Sequence, residues 1–278
     1  MKTAWIALAA LSLSTGAVVA QQAAPSAASP ARVTLTRLDC GRSAQPRDLA
    51  GFSDTFASYR KALVSSCYLI RHGDEYLLWD TGYPVAMRDD SKAGLLMPLS
   101  IVDQLRQLKI EPARVTRVGI SHYHADHTGQ ARDFPDATLM IGTGDWAALN
   151  ATDRPAGLDP APLARWVSGG GKVEQVRGDK DVWGDGSVVI LDTPGHTPGH
   201  HSLLVRLKGR SVLLTGDLAH FTQNYASNGV PSFNTNRADT LASLDRFKKL
   251  ATNLKATVII QHEPADVAKL PAFPAAAE

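Results

Sequence analysis

His122-Tyr123-His124-Ala125-Asp126-His127 places three imidazoles and one carboxylate within six residues. Imidazole and carboxylate are the side chains that a borderline cation such as Zn²⁺ prefers. The run follows Val115 to Ile120, an apolar stretch that reads as a β-strand. Packing gives no reason to crowd ligand-type side chains at a strand's end, and a solvated loop rich in His by accident would not be echoed elsewhere. This one is echoed three times. His196 in Thr193-Pro194-Gly195-His196, Asp217 in Thr215-Gly216-Asp217 and His262 in Gln261-His262 each close a strand-like run. Pro194, Gly195, Gly199 and Gly216 suit tight turns, which would hold these side chains at one rim of a sheet.

The surrounding chain supplies the strands. Arg32 to Leu38 alternates as a half-buried strand does, and Val64 to Ile70 and Tyr76 to Trp79 flank the turn Arg71-His72-Gly73-Asp74 as a hairpin. His72 reads as a surface residue of that turn. Ile101, Leu105 and Leu108 fall at helical spacing within Pro98 to Lys109, and Leu241, Leu244, Phe247 and Leu250 do so within Arg237 to Leu250. Thr138 to Ile141, Val173 to Val176, Ser187 to Leu191, Ser202 to Leu207, Ser211 to Leu214 and Thr257 to Ile260 read as strands, and Gly144 to Asn150 as a short helix. Ala151 to Gly171, rich in Pro, Gly and Ala, reads as a long loop of the kind that often serves function. Strands in series followed by a helix, twice over, predict an α+β fold of two face-to-face sheets with helices outside. No domain boundary is visible between residues 32 and 266.

Lys plus Arg numbers 29 and Asp plus Glu 27, a net charge of +2, so there is no electrostatic case for a nucleic-acid partner. Lys2, the apolar run Ala4 to Val19 and the small residues Val18 and Ala20 before Gln21 have the form of a secretory signal, residues 1–20. Residues 21–31, made mostly of Ala, Ser, Pro and Gln, read as a flexible leader, and residues 32–278 as one domain. The apolar core is short for a span, and no second long apolar run follows, so no membrane anchor is expected. Export to the periplasm or the medium follows from the signal. Cys40 and Cys67 are the only cysteines, and an exported chain permits either one disulfide or two buried thiols.

The ordered set HxHxDH, PGH, GD and a late His resembles the metallo-β-lactamase superfamily over roughly residues 32 to 266. The resemblance implies an αββα sandwich of two mixed sheets with a pair of metal ions at its edge. It implies that His122, His124 and His196 hold the first metal, that Asp126, His127 and His262 hold the second, and that Asp217 bridges them. Asp80, closing an early strand, would support a ligand from behind, and one of His200 and His201 would orient its loop. Seven donors with only two carboxylates leave two Zn²⁺ ions (or other divalent metals) net positive. A bridging water is thereby acidified and a substrate oxygen polarised. Asp126 would shuttle the proton. Asp185 and Asp192 lie outside the pattern and read as structural.

Departures from other branches narrow the chemistry. Flavodiiron members place Glu where this chain has His124, true metallo-β-lactamases usually lack the bridging Asp, and glyoxalase II adds a helical region for which 16 residues after His262 leave no room. Ser66 to Gly73, Leu78 to Gly82, Ser121 to Gly129 and Thr193 to His200 look like the N-acyl-homoserine lactonase branch, and the signal resembles its exported subgroup. That branch opens the lactone ring by attack of the metal-bridging hydroxide, so an acyl-homoserine lactone is the expected small-molecule partner. Hydrolysis of β-lactams, organophosphates or other esters is the alternative, and a non-catalytic binding protein is a third reading. Many members carry Tyr three residues after the bridging Asp, where it contacts the lactone; this chain has His220 there, a catalytic candidate that can donate a hydrogen bond in its place, with a different reach and pKa. An acyl-chain channel is expected from Leu96, Met97, Trp146 and Phe221, with Phe221 and Tyr225 each either lining it or in the core. A dimer is compatible with the sequence, which leaves oligomeric state open.

Overall fold

Strict alternation sorts the apolar side chains of each strand onto two faces, and that sorting builds the layers. The computed structural model describes Met1 and residues 31–53, 60–88, 90, 92–155 and 157–278. The strands in chain order are β1 (Val33–Ser43), β2 (Arg47–Asp48), β3 (Arg60–Lys61), β4 (Val64–His72), β5 (Glu75–Trp79), β6 (Leu95–Leu96) and β7 (Val115–Gly119). They continue with β8 (Thr138–Gly142), β9 (Val173–Val176), β10 (Lys180–Asp181), β11 (Val188–Asp192), β12 (His201–Leu207), β13 (Arg210–Leu214) and β14 (Thr257–Ile259). One mixed sheet has the order β6-β1-β4-β5-β7-β8-β9 and a second has β10-β11-β12-β13-β14, while β2 and β3 pair apart.

Along β4, Tyr68 and Ile70 enter the core between the sheets, and Cys67 and Leu69 face the other way. Along β12, Leu203, Val205 and Leu207 meet them from the second sheet, while Leu204 turns outward. Each such buried Leu, Ile or Val contributes about 1.5–3 kcal/mol relative to exposure. The outward faces need covers. Helices α1 (Ile101–Gln107), α2 (Ala125–Thr128), α3 (Thr143–Asn150) and α4 (Ala164–Val167) follow strands of the first sheet, and Ile101, Leu105, Leu149 and Trp166 pack on its outer face. After α5 (Thr222–Ser227), helix α6 (Arg237–Asn253) lays Leu244 and Phe247 on the second sheet, and α7 (Pro264–Val267) follows β14. The layers are therefore helix, sheet, sheet, helix, as the sequence predicts.

Two local expectations change. α1 begins three residues after Pro98, because Ser100 and Asp103 form a reciprocal capping box that fixes its start. The stretch 151–171 is no active-site loop: it contains a 3₁₀ turn, Ala161–Leu163, and α4, and it buries Leu163 and Trp166 in the outer core. Cys40 and Cys67 form a disulfide between β1 and β4, 27 residues apart in sequence. Closing a loop of that length contributes about 3–4 kcal/mol by the chain-entropy account. At the end of the chain, Ala277 makes a bridge with Leu35 of β1, and Arg32 pairs with Glu278. Among the described residues no helix is long and apolar enough to cross a membrane. Residues 2–30, which hold the expected export signal and nearly all of the leader, lie outside the described residues.

Strand direction then decides where chemistry can sit. β5 and β7 are parallel, so Asp80 and the His122 to His127 run leave the first sheet at the same rim. β11 and β13 both run antiparallel to β12, and β14 is parallel to β13. His196, Asp217 and His262 accordingly leave the second sheet at one rim as well.

Candidate metal centre

Two short helical turns do the local positioning. His124 stands at the N-cap of α2, in extended conformation, so the chain bends between His122 and His127 and turns their side chains to one side. Gly216 (φ +55°) gives Asp217 its turn; a Cβ there would come within 2.7 Å of His200 Nε2, so only glycine fits.

The nitrogens converge. His122 Nε2 lies 2.9 Å from His124 Nδ1 and 3.1 Å from His196 Nε2, and the third side of the triangle, His196 Nε2 to His124 Nδ1, is 3.0 Å. Asp217 Oδ2 stands off this triangle, 3.7 Å from His122 Nε2 and 3.5 Å from His196 Nε2. Tetrahedral donors about 2.0–2.1 Å from Zn²⁺ are spaced by about 3.3 Å, so four donors at these spacings match a tetrahedral set. The second oxygen of Asp217 turns to a second set. Oδ1 lies 3.0 Å from His262 Nε2 and 3.3 Å from His127 Nε2, and Asp126 Oδ2 is 3.7 Å from each of those nitrogens.

Charge and burial discriminate between the two sets. Burial holds His122 and His196 well below the ordinary imidazole value, and lowers His124 too, which keeps their lone pairs available. Burial also disfavours charge on His127, but the carboxylates of Asp217, Asp126 and Asp80 outweigh it and raise that imidazole well above its usual value. His262 is raised in the same way by Asp217 and Asp126 against its burial. Burial works against ionised Asp217, yet His262, His220, His127 and His122 hold it well below the carboxylate range. Without metal, the contribution of charged His127 to stability is fully present below the ordinary imidazole value and is lost as pH rises through its raised one. Metal loading therefore competes with protons at His127 and His262. Calorimetric titration with Zn²⁺ in buffers of different ionisation enthalpy is expected to show proton release, and affinity that weakens as pH falls; loading without proton release would contradict this ordering.

Three of the imidazoles, His127, His262 and His196, are also held from behind. His127 Nδ1 donates to Asp80 Oδ2 (2.9 Å), and Asp80 Oδ1 accepts from the backbone N–H of Ser121 (2.7 Å). His262 Nδ1 donates to the carbonyl of Val64 (2.7 Å), and His196 Nδ1 to Asn234 Oδ1 (2.8 Å). These bonds orient the rings so that Nε2 faces the cluster, with its lone pair available on neutral His196 and freed on His127 and His262 when their second ring proton leaves. Of the two candidates in the His200-His201 pair, His200 orients the loop. Its Nδ1 donates to the Thr193 carbonyl and its Nε2 accepts the backbone N–H of Asp217 at 2.9 Å, and burial pushes it down to about 3, so it stays neutral. A metal fits this donor set on two observations. His127 Nε2 and Asp217 Oδ1 are fully buried and have no hydrogen-bond partner. Such orphans are costly unless something else satisfies them.

Reasoning from sequence passed over two residues. Asp145, in the first turn of α3, accepts from the backbone N–H of Tyr123 (3.1 Å), from Thr197 Oγ1 (2.9 Å) and from the N–H of Gly199 (2.7 Å). It ties the His122–His127 loop to the His196 loop. Asn234 holds His196. Both act through contacts 22 to 54 positions apart, which no local pattern announces.

His124, Asp126, Asp217, His220 and His262 lie at the floor of a cavity of about 510 Å³. His220 Nε2 is 3.1 Å from Asp217 Oδ2, and its ring meets Phe52 edge-on at 4.9 Å. Phe52, half-exposed Phe233, Tyr83, Arg42 and Arg47 are among the wall residues. The expected channel residues do not line it. Met97 and Phe221 are buried, Trp146 packs into the helix layer, and Leu96 is exposed on β6 away from the cavity. Tyr225 packs against Phe247 in the outer core. His72 is outside the site: it stacks on Trp183 and bonds Asp185 (2.7 Å). Asp185 and Asp192 are likewise apart from the cluster, as the sequence predicts; Asp192 comes no nearer than 3.6 Å to His201.

A family model described as the metallo-beta-lactamase superfamily matches residues 60–262. N-acyl homoserine lactonase AttM of Rhizobium radiobacter is 33% identical over 191 residues, covering 62% of this chain and 68% of that protein. AttM of Azorhizobium caulinodans is 34% identical over 194 residues, covering 66% of this chain and 68% of its own. An N-acyl homoserine lactone hydrolase, solved with N-hexanoyl-L-homoserine bound at its catalytic metal center, shares the fold at a TM-score of 0.75 and 23% identity, over 90% of this chain and 100% of that one.

Proposed function

The chain belongs to the metallo-beta-lactamase superfamily, and from that premise we propose that it is a dinuclear zinc lactonase that opens N-acyl homoserine lactones outside the cytoplasm. It is a metal-dependent hydrolase. The finer reading rests above all on the division of Asp217 between the two nitrogen sets, each oxygen facing one of them. In this reading His122, His124 and His196 would hold one cation, Asp126, His127 and His262 would hold the other, and Asp217 would serve both. All-imidazole and carboxylate donors at tetrahedral spacing favour Zn²⁺. Bound there, two cations supply Lewis acidity for a carbonyl oxygen and a water acidified enough to attack near pH 7.

The protein's own groups do the rest. The cavity delivers the lactone carbonyl to the floor, with Phe52 and Phe233 as apolar walls beside it. Asp126, at 20% side-chain exposure, is the carboxylate of the second set that opens to the cavity. As water adds to the carbonyl carbon and the ring C–O bond breaks, Asp126 takes up the proton and passes it to the departing alkoxide. His220 keeps its contact with Asp217 and so acts as a positioning residue for the bridge. The similarity to AttM favours the acyl-homoserine lactone over other lactones. The Cys40–Cys67 disulfide favours an oxidising compartment.

The test is ring opening of short- and long-chain N-acyl homoserine lactones by Zn²⁺-loaded protein, followed by the mass gain of one water, with a chelated control. Metal-dependent opening is expected, and Asp126→Asn is expected to lower kcat by about 10²–10³. Protein recovered from the periplasm or medium should begin at Gln21. Two metals bound per chain with no ring opening would overturn the substrate, and an uncleaved intracellular product would overturn the location.

A further inference from the structure

The substrate cavity carries a charge pattern that an alkyl chain does not use. Its two carboxylates, Asp126 and Asp217, sit at the floor among the imidazoles. Above them, among the described residues, the charged side chains of the wall are guanidiniums, Arg42 and Arg47.

Arg42 owes its position to an irregularity in β1. In the regular part of that strand Leu38 and Cys40 face the helix layer, whereas Val33 and Leu35 face the core between the sheets. Simple alternation would send Arg42 after Leu38 and Cys40, into apolar surroundings. The β1–β4 register shifts between Asp39 and Arg42, so that Arg42 stands opposite Val64. A one-residue bulge flips the phase of every later side chain. Arg42 is thereby turned to the cavity, across from the residue whose carbonyl holds His262. Among the described residues its carboxylate partner is Asp39, at 3.5 Å, a long contact at half-exposure. Arg47, on β2, lies beside the Tyr83 hydroxyl. Neighbouring Asp48 is engaged elsewhere, accepting from the N–H of Ala50. Among the described residues, Arg47 has no carboxylate partner.

We propose that Arg42 and Arg47 form a subsite for an anionic group, so that the enzyme favours lactones whose acyl chain ends in a carboxylate over those with a plain alkyl chain. This rests on the lactonase reading for the reacting end of the substrate, and adds the recognition of its far end. Guanidinium is suited to the task, because its planar fork matches a carboxylate bidentately. The cavity volume of about 510 Å³ accommodates a substrate of this size.

The experiment compares N-hexanoyl- and N-adipoyl-homoserine lactone, which differ by a terminal carboxylate, on Zn²⁺-loaded native protein and on the variant Arg42→Ala/Arg47→Ala. Native kcat/KM is expected to be higher for the adipoyl compound, with the advantage shrinking as salt rises. The double variant is expected to lose about 10-fold or more of kcat/KM on the adipoyl compound beyond its loss on the hexanoyl one, mainly through KM. Equal native values, or equal losses, would overturn the subsite. If neither ring opens, the lactonase reading has failed, and calorimetry decides the subsite by itself. Hexanoate and adipate each bring one carboxylate to the cations, but only adipate has a second for the arginines. Tighter binding of adipate that disappears in the double variant supports the subsite, and equal binding refutes it.

Discussion

Asp217→Asn is expected to lower kcat/KM by at least about 10³ and to reduce the metal content below two per chain. The substitution keeps shape and removes a charge, so it isolates what the carboxylate does. Oδ2 faces His122 and His196, and Oδ1 faces His127 and His262. An amide offers one oxygen, so one of the two sets loses its shared donor and meets an N–H₂ group instead. The same carboxylate, foremost among those around them, raises His127 and His262 against their burial. In the metal-free variant both imidazoles should therefore lose protons at lower pH than in the native protein, visible as a downward shift of their NMR titrations. Metal analysis and steady-state kinetics give the main readout. Two tightly held metals and near-native turnover in Asp217→Asn would remove the bridge from the mechanism.

Gly142→Ala should damage the site from a distance. Gly142 ends β8, and a Cβ there would come within 1.9 Å of the Gly199 carbonyl oxygen. Backbone meets backbone at this point, so no side chain can swing aside. The loop carrying His196 must retreat, and the bonds from Thr197 and Gly199 to Asp145 stretch with it. A cost of about 3 kcal/mol is expected for such overpacking, which lowers Tm by about 10 °C in a domain of this size. Because His196 moves with the loop, metal affinity should also fall by about 10–100-fold, the range seen when support behind a ligand is lost. Thermal melts with and without Zn²⁺ separate the two effects. An unchanged affinity would mean that His196 is held by Asn234 alone.

These two residues mark what a sequence discloses and what it hides. The metal candidates stood out because each closes an apolar run, and a ligand-type side chain at a strand's end has no competing use in packing. The layers were legible for a related reason: alternation along β4 and β12 is local and survives folding intact. Cavity walls are not local. Phe221 and Met97 are as apolar as Phe52 and Phe233, and only the course of the chain decides that the first pair is buried and the second faces the cavity. Arg42 was hidden for a further reason, since its orientation depends on a bulge that alternation alone does not reveal. Asp145 reads as an ordinary first-turn acid of a short helix; its three donors come from loops on either side of it in sequence.

The bridge from Ala277 to Leu35, with Arg32 paired to Glu278, brings the two ends of the folded domain together at the start of β1. Order along the chain is then largely a convention of where the loop is cut. Residues 278 and 31 can be joined by a short linker and new ends opened at an exposed turn such as Gly184–Gly186, with every strand keeping its neighbours. For the same reason the domain can be spliced whole into a surface loop of another protein, entering and leaving through one narrow gap.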